Sequence, residues 1–232
     1  MILPIAISVP HAGLDVPEHL APKCQLTPEQ VAADGDVGAA EIYTLKPHVR
    51  KFATTKVARA VLDMNRATDD VRKDGIVKTH TCWDEPIWRE PLSDDEVQAL
   101  INDHWRPYHQ ELAAFAGTVK LAVDCHTMAA AGPPVGPDAG QRRPLVCLGD
   151  GAGTACPRHW IEELQRCFLR YFGDDVTINK PFSGGYVTRH HGGKTQAWVQ
   201  VELSRTDDVA MADKRDWVLR ALTDWCQLDL SP

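Results

Sequence analysis

The sequence lacks any long hydrophobic segment. Its longest apolar runs, such as residues 2–9, are far shorter than the ~20 residues that a helix needs to cross a bilayer. No basic segment precedes an apolar stretch near the N-terminus, so the pattern of a secretory signal is missing too. We therefore expect a cytoplasmic protein that does not interact with membranes.

Regularly spaced cysteines and an excess of positive charge are also missing. The seven cysteines are odd in number, scattered, and never spaced as C-x-x-C, which argues against a disulfide framework and a thiolate zinc site. The 25 lysines and arginines are outnumbered by 32 aspartates and glutamates, for a net charge of −7. That balance argues against nucleic acid as a partner, and it means that nearby arginines must bind any anionic substrate.

The composition of the chain is typical of a globular protein. Hydrophobic residues make up 44% and charged residues 25% of its 232 residues, close to the average for folded domains. No repeat, low-complexity tract or linker divides the chain, and its length suits one large α/β domain. We therefore predict a single domain over residues 1–232.

Short apolar runs alternate along the chain with segments of helical periodicity. The predicted strands are residues 2–9, 119–125, 144–148, 176–179 and 198–203, with one or two more in 54–64. The predicted helices are one that begins at Thr27 and others over 38–45, 93–116, 156–172 and 211–226. Pro107 is expected to kink the longest helix, and 131–144 is expected to form a loop. This order predicts an α/β fold whose mostly parallel or mixed twisted sheet carries helices on both faces.

Polar clusters follow three of the apolar runs. Residues 10–13 carry His11, residues 63–66 read Asp-Met-Asn-Arg, and residues 124–127 carry His126. Ligand sites in α/β sheets gather at the carboxyl ends of strands. One such cluster is weak evidence, but three together predict a functional site at this edge of the sheet.

The two histidines indicate a metal site. Two imidazoles, a carboxylate and an open position for water are a common composition of a catalytic zinc centre, and His11 and His126 are the natural imidazoles. The carboxylate would be Asp36 or Asp34. The same acidic pair also fits a helix-capping turn before Val37, which is the simpler interpretation from the residues alone.

Glu202 places a carboxylate inside an apolar strand, where an unpaired ion is costly. Strand alternation puts it on the same face as Gln200. It is therefore a candidate general base, or else it forms an ion pair with Arg205 or with a lysine of a neighbouring strand. Cys125 precedes His126 but points to the opposite side of the strand, so it is interpreted as a small buried hydrophobe rather than a nucleophile.

Three arginines lie near predicted strand ends or glycine-rich turns: Arg59, Arg66 and Arg189. Their planar guanidinium groups suit carboxylate recognition, although each also fits a solvated surface position. The glycine-rich segment 182–186 lacks the Lys-Ser/Thr that follows a true P-loop, so nucleotide binding is not expected.

A set of motifs runs in a fixed order over nearly the whole chain. They are SVPHAG (8–13), DGD (34–36), RAVLDMNR (59–66), WRPYH (105–109), DCHT (124–127), LG (148–149), PFSGGYVTRH (181–190) and QVE (200–202). This ordered set resembles the N-formylglutamate amidohydrolase family, itself similar to the zinc carboxypeptidase and aspartoacylase group. The resemblance implies a zinc-carboxypeptidase-like fold. It also implies a metal-dependent amidohydrolase that converts N-formylglutamate to formate and glutamate in histidine degradation.

The resemblance also implies one zinc ion per chain. The implied ligands are His11, Asp36 and His126. The wider group uses His-x-x-Glu for two of its ligands, whereas this sequence has Leu14 at the second position and its nearest acid, Asp15, comes one residue late. The third ligand is therefore given to Asp36, with Asp34 as the alternative.

The remaining implied roles concern catalysis and substrate binding. Glu202 would be the general base and Arg59 would polarise the scissile carbonyl. Asn65 and Arg66 would bind one substrate carboxylate, and Arg189 would bind the second. The partner is thus expected to be a small anionic N-acyl amino acid.

Three rival interpretations remain open. The same chemistry could act on another N-acyl amino acid, or the chain could be a binding module that has kept the fold without activity. A thiol hydrolase that uses Cys125 is the third, and it would be insensitive to chelators. The sequence does not indicate the oligomeric state.

Overall fold

The strands of the computed structural model, which describes residues 2–133 and 138–230, form one sheet. They are β1 (Leu3–Val9), β2 (Val49–Thr54), β3 (Leu121–Met128), β4 (Val146–Gly149), β5 (Val176–Ile178) and β6 (Trp198–Ser204). Their spatial order is β2-β1-β3-β6-β4-β5. Neighbouring strands are parallel except β4 and β6, which are antiparallel. The predicted α/β fold with a mixed sheet is therefore confirmed.

The α-helices flank this sheet. They are α1 (Pro28–Asp34), α2 (Ala39–Ile42), α3 (Asp94–Leu100), α4 (Arg106–Ala113), α5 (Arg158–Phe172), α6 (Tyr186–His191) and α7 (Met211–Gln227). Helix α1 starts as predicted, because Thr27 and Gln30 form a reciprocal capping box between their side chains and amides. Among residues 2–133 and 138–230, no helix is long and apolar enough to cross a membrane.

Helices cover both faces of the sheet because successive strand residues point to opposite sides. On one face, Ile5 and Ile7 of β1 belong to an apolar cluster with residues of α2, α5 and α7. On the other face, Ala6 belongs to a second cluster with residues 57–64 and residues of α3 and α4. Burial on both faces explains why β3 and β6 are buried along their whole length.

The prediction of strands within residues 54–64 is wrong. Strand β2 ends at Thr54, and the chain then turns, with Ala58, Val61 and Leu62 fully buried in the second cluster. The Val61 and Leu62 amides donate to the Ala58 carbonyl, so the backbone is satisfied locally. The apolar composition of this segment reflects burial beneath the sheet rather than strand pairing.

The predicted helix 93–116 is less regular than expected. Helix α3 begins at a capping box formed by Ser93 and Glu96, and a π-helical turn, Ile101–Trp105, separates it from α4. Pro107 lies in the first turn of α4. The wider π-turn before it accommodates a residue that cannot donate the regular hydrogen bond to the fourth residue back.

The other predicted strands and helices are confirmed with small shifts at their ends. Strand β2 and helix α6 were not predicted, because β2 exposes half of its residues and α6 is a single short segment rich in histidine. Of the predicted loop 131–144, residues 134–137 lie outside the described part of the chain. The described residues on either side of them form isolated bridges.

Three parallel neighbours bring their carboxyl ends to one edge of the sheet. Strands β1, β3 and β6 are adjacent, so Ser8, Asp124 and Gln200 lie side by side. One step further along the same face, His126 of β3 lies opposite Glu202 of β6. The turn after β1 reaches the same edge, where the sequence predicts a site.

Candidate active site

Three buried side chains converge at this edge of the sheet. His11 lies in the turn after β1, Asp36 in the turn between α1 and α2, and His126 in β3. The two Nδ1 atoms are 3.2 Å apart, and Asp36 Oδ2 lies 3.1 Å from His126 Nδ1 and 3.5 Å from His11 Nδ1. These atoms could hold a metal ion. We call this group the His–Asp–His cradle; its members are those that the sequence proposed as ligands.

The geometry of the cradle fits a tetrahedral metal ion. Ligand atoms ~2.0–2.1 Å from zinc at tetrahedral angles lie about 3.3 Å from one another. His11 Nε2 faces Asp63 Oδ1 at 2.8 Å, and His126 Nε2 faces Asp124 Oδ2 at 3.0 Å. Because a carboxylate accepts hydrogen bonds, a neutral imidazole at either position keeps its proton on Nε2 and directs the lone pair of Nδ1 into the cradle, as a metal ligand must. Lone pairs at these distances repel one another unless a cation lies between them, and two nitrogens with an oxygen suit zinc.

Further hydrogen bonds hold the two outer carboxylates. Asp124, which has no exposed surface, accepts from Ser8 Oγ at 3.0 Å, and Ser8 Oγ lies 2.7 Å from the Tyr108 hydroxyl. Because the Ser8 hydroxyl donates its proton to Asp124, the Tyr108 hydroxyl donates to Ser8. Asp63 accepts from Arg59 Nε at 3.1 Å. Each imidazole is therefore oriented through a carboxylate that is itself held in place.

The electrostatics favour positive charge in the cradle. Burial alone would raise the pKa of Asp36 and Asp63, but His11 holds both well below their usual range, together with His126 at Asp36 and Arg59 at Asp63. Burial alone would lower the pKa of His126, but the carboxylates around it raise that pKa well above its ordinary value. The same carboxylates would favour a bound cation.

Glu202 lies beside the cradle with a different environment. Burial raises the pKa of Glu202 to about 7, although His126 opposes the shift. Gln200 Nε2 donates to Glu202 Oε1 at 2.8 Å, and the Gly185 amide in turn donates to Gln200 Oε1 at 2.6 Å. Within residues 2–133 and 138–230, Glu202 forms no ion pair with a lysine or arginine, so the alternative pairing with Arg205 is not found. Glu202 Oε2 is left without a protein donor there.

Cys125 is not placed to act as a nucleophile. Burial raises the pKa of its thiol well above the ordinary value, and Asp124 adds to the shift. Cys125 has 1% of its surface exposed, and its thiol faces the Val123 carbonyl at 3.9 Å. A buried, protonated thiol is inert, which agrees with its interpretation as a small buried hydrophobe.

Comparison with known proteins identifies the family. Residues 3–207 match the family described as N-formylglutamate amidohydrolase. The chain belongs to this family. Relatives named N-formylglutamate deformylase, from Pseudomonas putida and Pseudomonas aeruginosa, are 26% and 27% identical to it, over 94% of this chain and 85% and 86% of theirs. The crystal structure of N-formylglutamate amidohydrolase from Ralstonia eutropha JMP134 has a TM-score of 0.80 at 22% identity, and the alignment covers 97% of this chain and 93% of that one.

In this member of the family, Asp34 pairs with a lysine away from the cradle. Its two carboxylate oxygens accept from Lys78 Nζ at 2.8 Å and 2.7 Å, and Oδ1 also accepts from the Cys82 amide at 2.7 Å. The Asp34 and Lys78 side chains are 0% and 1% exposed. Removing one partner of such a buried pair typically costs about 3–5 kcal/mol. The structure therefore places Asp34 in a buried ion pair outside the cradle.

Arg59 and Asn65 adjoin the cradle. Besides its bond to Asp63, Arg59 donates from Nη1 to the Asp34 carbonyl at 3.1 Å. The Asn65 side-chain oxygen accepts from the Val187 amide at 2.7 Å, and its Nδ2 lies 3.4 Å from His126 Nε2. Asn65 thereby joins the turn after residue 63 to helix α6.

Arg66 and Arg189 make other contacts. Arg66 donates from Nε to the Asp74 carbonyl at 3.1 Å, and its Nη2 lies 3.5 Å from the Asp74 carboxylate. Arg189 is exposed and donates to the Gly184 carbonyl at 2.9 Å and to Ser183 Oγ at 2.8 Å. Neither arginine contacts the cradle within the described residues.

Sequence reasoning missed several residues that support the cradle. Asp63 and Asp124 stood in the polar clusters without an assigned role, and Ser8 was overlooked although it is a hydroxyl inside an apolar strand. Tyr108 gave no local signal, and Arg205 was considered only as an ion-pair partner of Glu202. They reach the site through contacts between segments that are far apart in the sequence.

Proposed function

We propose that this protein is a zinc-dependent amidohydrolase that cleaves the N-formyl amide of N-formylglutamate to formate and glutamate. The observation that carries the proposal is the His–Asp–His cradle, whose lone pairs converge beside a buried carboxylate with a pKa of about 7. Membership of the N-formylglutamate amidohydrolase family and two relatives named N-formylglutamate deformylase support the substrate. One zinc ion per chain would be held by His11, Asp36 and His126.

Zinc, Glu202 and Arg59 have separate roles in the proposed hydrolysis. Zinc in the cradle would supply a Lewis acid that makes water acidic enough to ionise near pH ~7. Glu202 accepts the proton of the attacking water at Oε2, because Gln200 holds Oε1, and then passes that proton to the leaving nitrogen. Arg59 donates from Nη2, which has no hydrogen-bond partner among the described residues, to the formyl oxygen as negative charge develops there.

Recognition of the glutamate portion falls to Asn65, Arg66 and Arg189. The position of Asn65 beside His126 supports a role near the reacting centre. The contact of Arg66 with the Asp74 carboxylate is long and half-exposed, so a substrate carboxylate can replace it at little cost. Arg189 is accessible at the end of the 181–190 motif.

Several broader features belong to the same proposal. We place the enzyme in the cytoplasm and in histidine degradation, with residues 1–232 as one catalytic domain and a fold related to zinc carboxypeptidases. The net charge of −7 supports a small-molecule substrate rather than nucleic acid or an anionic membrane. Hydrolysis of a different N-acyl amino acid at the same site is the alternative.

One set of measurements tests the proposal. Zinc content and hydrolysis would be measured on wild type and on His11→Ala/His126→Ala, with N-formylglutamate, N-formylleucine, N-acetylglutamate and N-succinylglutamate as substrates. We expect about one zinc per wild-type chain, none in the variant, and a much higher kcat/KM for N-formylglutamate than for N-formylleucine, because an apolar side chain leaves arginines unpaired. Stoichiometric zinc in the variant would disprove the site. Equal kcat/KM for the glutamate and leucine compounds would disprove the dicarboxylate specificity.

A further inference from the structure

The two oxygens of Asp36 have different surroundings. Oδ2 faces the two histidine Nδ1 atoms and also accepts from the Thr127 amide at 3.1 Å. Oδ1 is turned away from the cradle and lies 3.5 Å from Arg205 Nη2. A carboxylate held in this way can bind a metal ion through Oδ2 alone, while Oδ1 stays beside Arg205.

Arg205 is anchored mainly to backbone carbonyls and a hydroxyl. Its Nη2 donates to the Gly35 carbonyl at 2.7 Å and to the Thr127 carbonyl at 3.1 Å, and its Nε donates to Thr127 Oγ1 at 3.0 Å. These bonds are shorter than the contact with Asp36. The guanidinium group therefore keeps its position independently of the carboxylate that it faces.

The backbone around Arg205 is also fixed. Arg205 directly follows β6, and its amide donates to the Met128 carbonyl at the end of β3 at 2.9 Å. Thr127 Oγ1 donates to the Val37 carbonyl at 3.0 Å. Arg205 and Thr127 thus tie the turn that carries Asp36 to the ends of the two strands that carry His126 and Glu202.

The geometry of these contacts suits an arginine that orients Asp36 rather than one that neutralises its charge. A close, bidentate arginine would withdraw negative charge from the carboxylate and weaken it as a ligand. At 3.5 Å and from one nitrogen, Arg205 opposes rotation of Asp36 and leaves Oδ2 facing the two histidines. The planar fork of arginine makes several such bonds at once, which an ammonium group cannot reproduce.

We propose that Arg205 is a positioning residue that holds Asp36 as a one-oxygen ligand and thereby sets the affinity and coordination geometry of the metal site. This inference rests on the proposed function, because it presumes a metal ion in the cradle. It assigns Arg205 no contact with the substrate. Its effect should therefore appear in metal binding before any substrate is added.

Zinc affinity and a cobalt spectrum test the inference. Zinc affinity would be measured by competition with a chromophoric chelator, and Co²⁺ would replace zinc so that its visible absorption reports the coordination number. We expect Arg205→Gln to bind zinc about 10–100-fold more weakly and to shift the Co²⁺ spectrum, since Asp36 can then rotate and offer both oxygens. Arg205→Lys should lie between Arg205→Gln and wild type, because an ammonium can keep part of the bonding to Gly35 and Thr127.

Arg170→Gln is the matched control. Arg170 also faces an aspartate, Asp224 at 3.1 Å, but it lies on α5 and is 60% exposed. Its zinc affinity and Co²⁺ spectrum should equal those of wild type. Should Arg205→Gln fail to fold, Arg205→Lys carries the same comparison.

The outcomes distinguish a failure of the role proposed for Arg205 from a failure of the proposed metal site. Wild-type zinc affinity and an unchanged Co²⁺ spectrum in Arg205→Gln would overturn the role of Arg205 and leave the proposed zinc site intact. A wild-type protein that binds neither Zn²⁺ nor Co²⁺ would overturn the metal site itself, and the role of Arg205 with it. Weaker binding with a changed spectrum in Arg205→Gln, and not in Arg170→Gln, supports the inference.

Discussion

Gln200 orients Glu202 without neutralising it. The amide donates one hydrogen bond to Oε1 and is itself held by the Gly185 amide. A neutral donor stabilises a carboxylate less than an arginine or lysine does, so the effect of burial prevails and the pKa of Glu202 is raised to about 7. The carboxylate can therefore take up and release a proton near neutral pH.

Replacement of Glu202 by glutamine tests its role as general base. Glutamine keeps the shape of the side chain but cannot accept the proton of the attacking water. General-base assistance typically raises the rate about 10²–10⁴-fold. We therefore expect kcat to fall by at least this factor, while zinc content and KM stay near wild type. The measurements are kcat, bound zinc and the thermal midpoint.

The control for this variant is Glu162→Gln, a surface glutamate on α5 that pairs with Arg158. It should leave kcat and the thermal midpoint unchanged. A structural role for Glu202 predicts the opposite pattern, namely a lower thermal midpoint with nearly normal kcat of the folded fraction. That pattern would contradict the assignment of Glu202 as the base.

At the scale of elements, the loop before α6 fits closely against the polar end of the sheet. A Cβ atom on Gly149, at the end of β4, would lie 2.7 Å from the Gly184 nitrogen. A Cβ atom on Gly185 would overlap the side-chain amide of Asn65. Glycine is required at both positions because other chain segments approach the backbone directly. The antiparallel pairing of β4 with β6 brings this loop next to Gln200.

Gly185→Ala should therefore damage the site through Asn65. The new methyl group must displace the Asn65 side chain, which is held by the Val187 amide and whose Nδ2 lies 3.4 Å from His126 Nε2. Overpacking of this kind typically costs about 1–3 kcal/mol, and we expect lower stability and lower kcat. Urea unfolding and steady-state kinetics would measure both effects.

A double-mutant cycle isolates the clash. Asn65→Ala removes the three side-chain atoms that the new methyl group would meet, so Gly185→Ala should cost much less stability in the Asn65→Ala background than in wild type. Equal costs in the two backgrounds would show that the contact with Asn65 is not responsible.

At the scale of the whole molecule, a pair of histidines, one buried and one half-buried, links α4 to α6. His109 Nε2 donates to the Met64 carbonyl at 2.9 Å, so its Nδ1 accepts from His191 Nε2, also at 2.9 Å. Burial lowers the pKa of each of these two histidines to about 4. Protonation of His109 at Nδ1 would remove the acceptor and break the link between the two helices.

This pair predicts a loss of stability in mild acid. The folded-state pKa of about 4 is below the unfolded value of ~6.5, so the unfolded chain takes up protons first as the pH falls. The contribution of the pair is complete above pH ~6.5 and is lost progressively between pH ~6.5 and ~4. We expect the free energy of urea unfolding, measured with a chelator present, to fall between pH 7 and pH 5.

His191→Gln provides the comparison. Glutamine can donate to His109 but does not titrate, so the variant should lose less stability than wild type between pH 7 and pH 5. An identical loss in the two proteins would show that other groups cause the acid sensitivity.

The sequence by itself determined the fold class and the parts of the site that depend on local pattern. Apolar runs that end in polar clusters predicted the strands β1 and β3 and placed His11 and His126 at their carboxyl ends. The capping box at Thr27 predicted the start of α1. These features are encoded within a few consecutive residues, because strand alternation and helix capping are local effects.

Only the tertiary structure decided which polar residue pairs with which. Asp36 and Asp34 are equivalent by sequence, and they differ because Lys78, 44 residues away, engages Asp34, whereas Arg205, 169 residues away, faces Asp36. The buried turns of 55–64 were likewise misassigned as strand, since burial and strand pairing favour the same apolar residues. The edge strand β2 was missed because half of its residues are exposed. Ion pairing and close packing depend on where distant segments meet, and no local pattern records that.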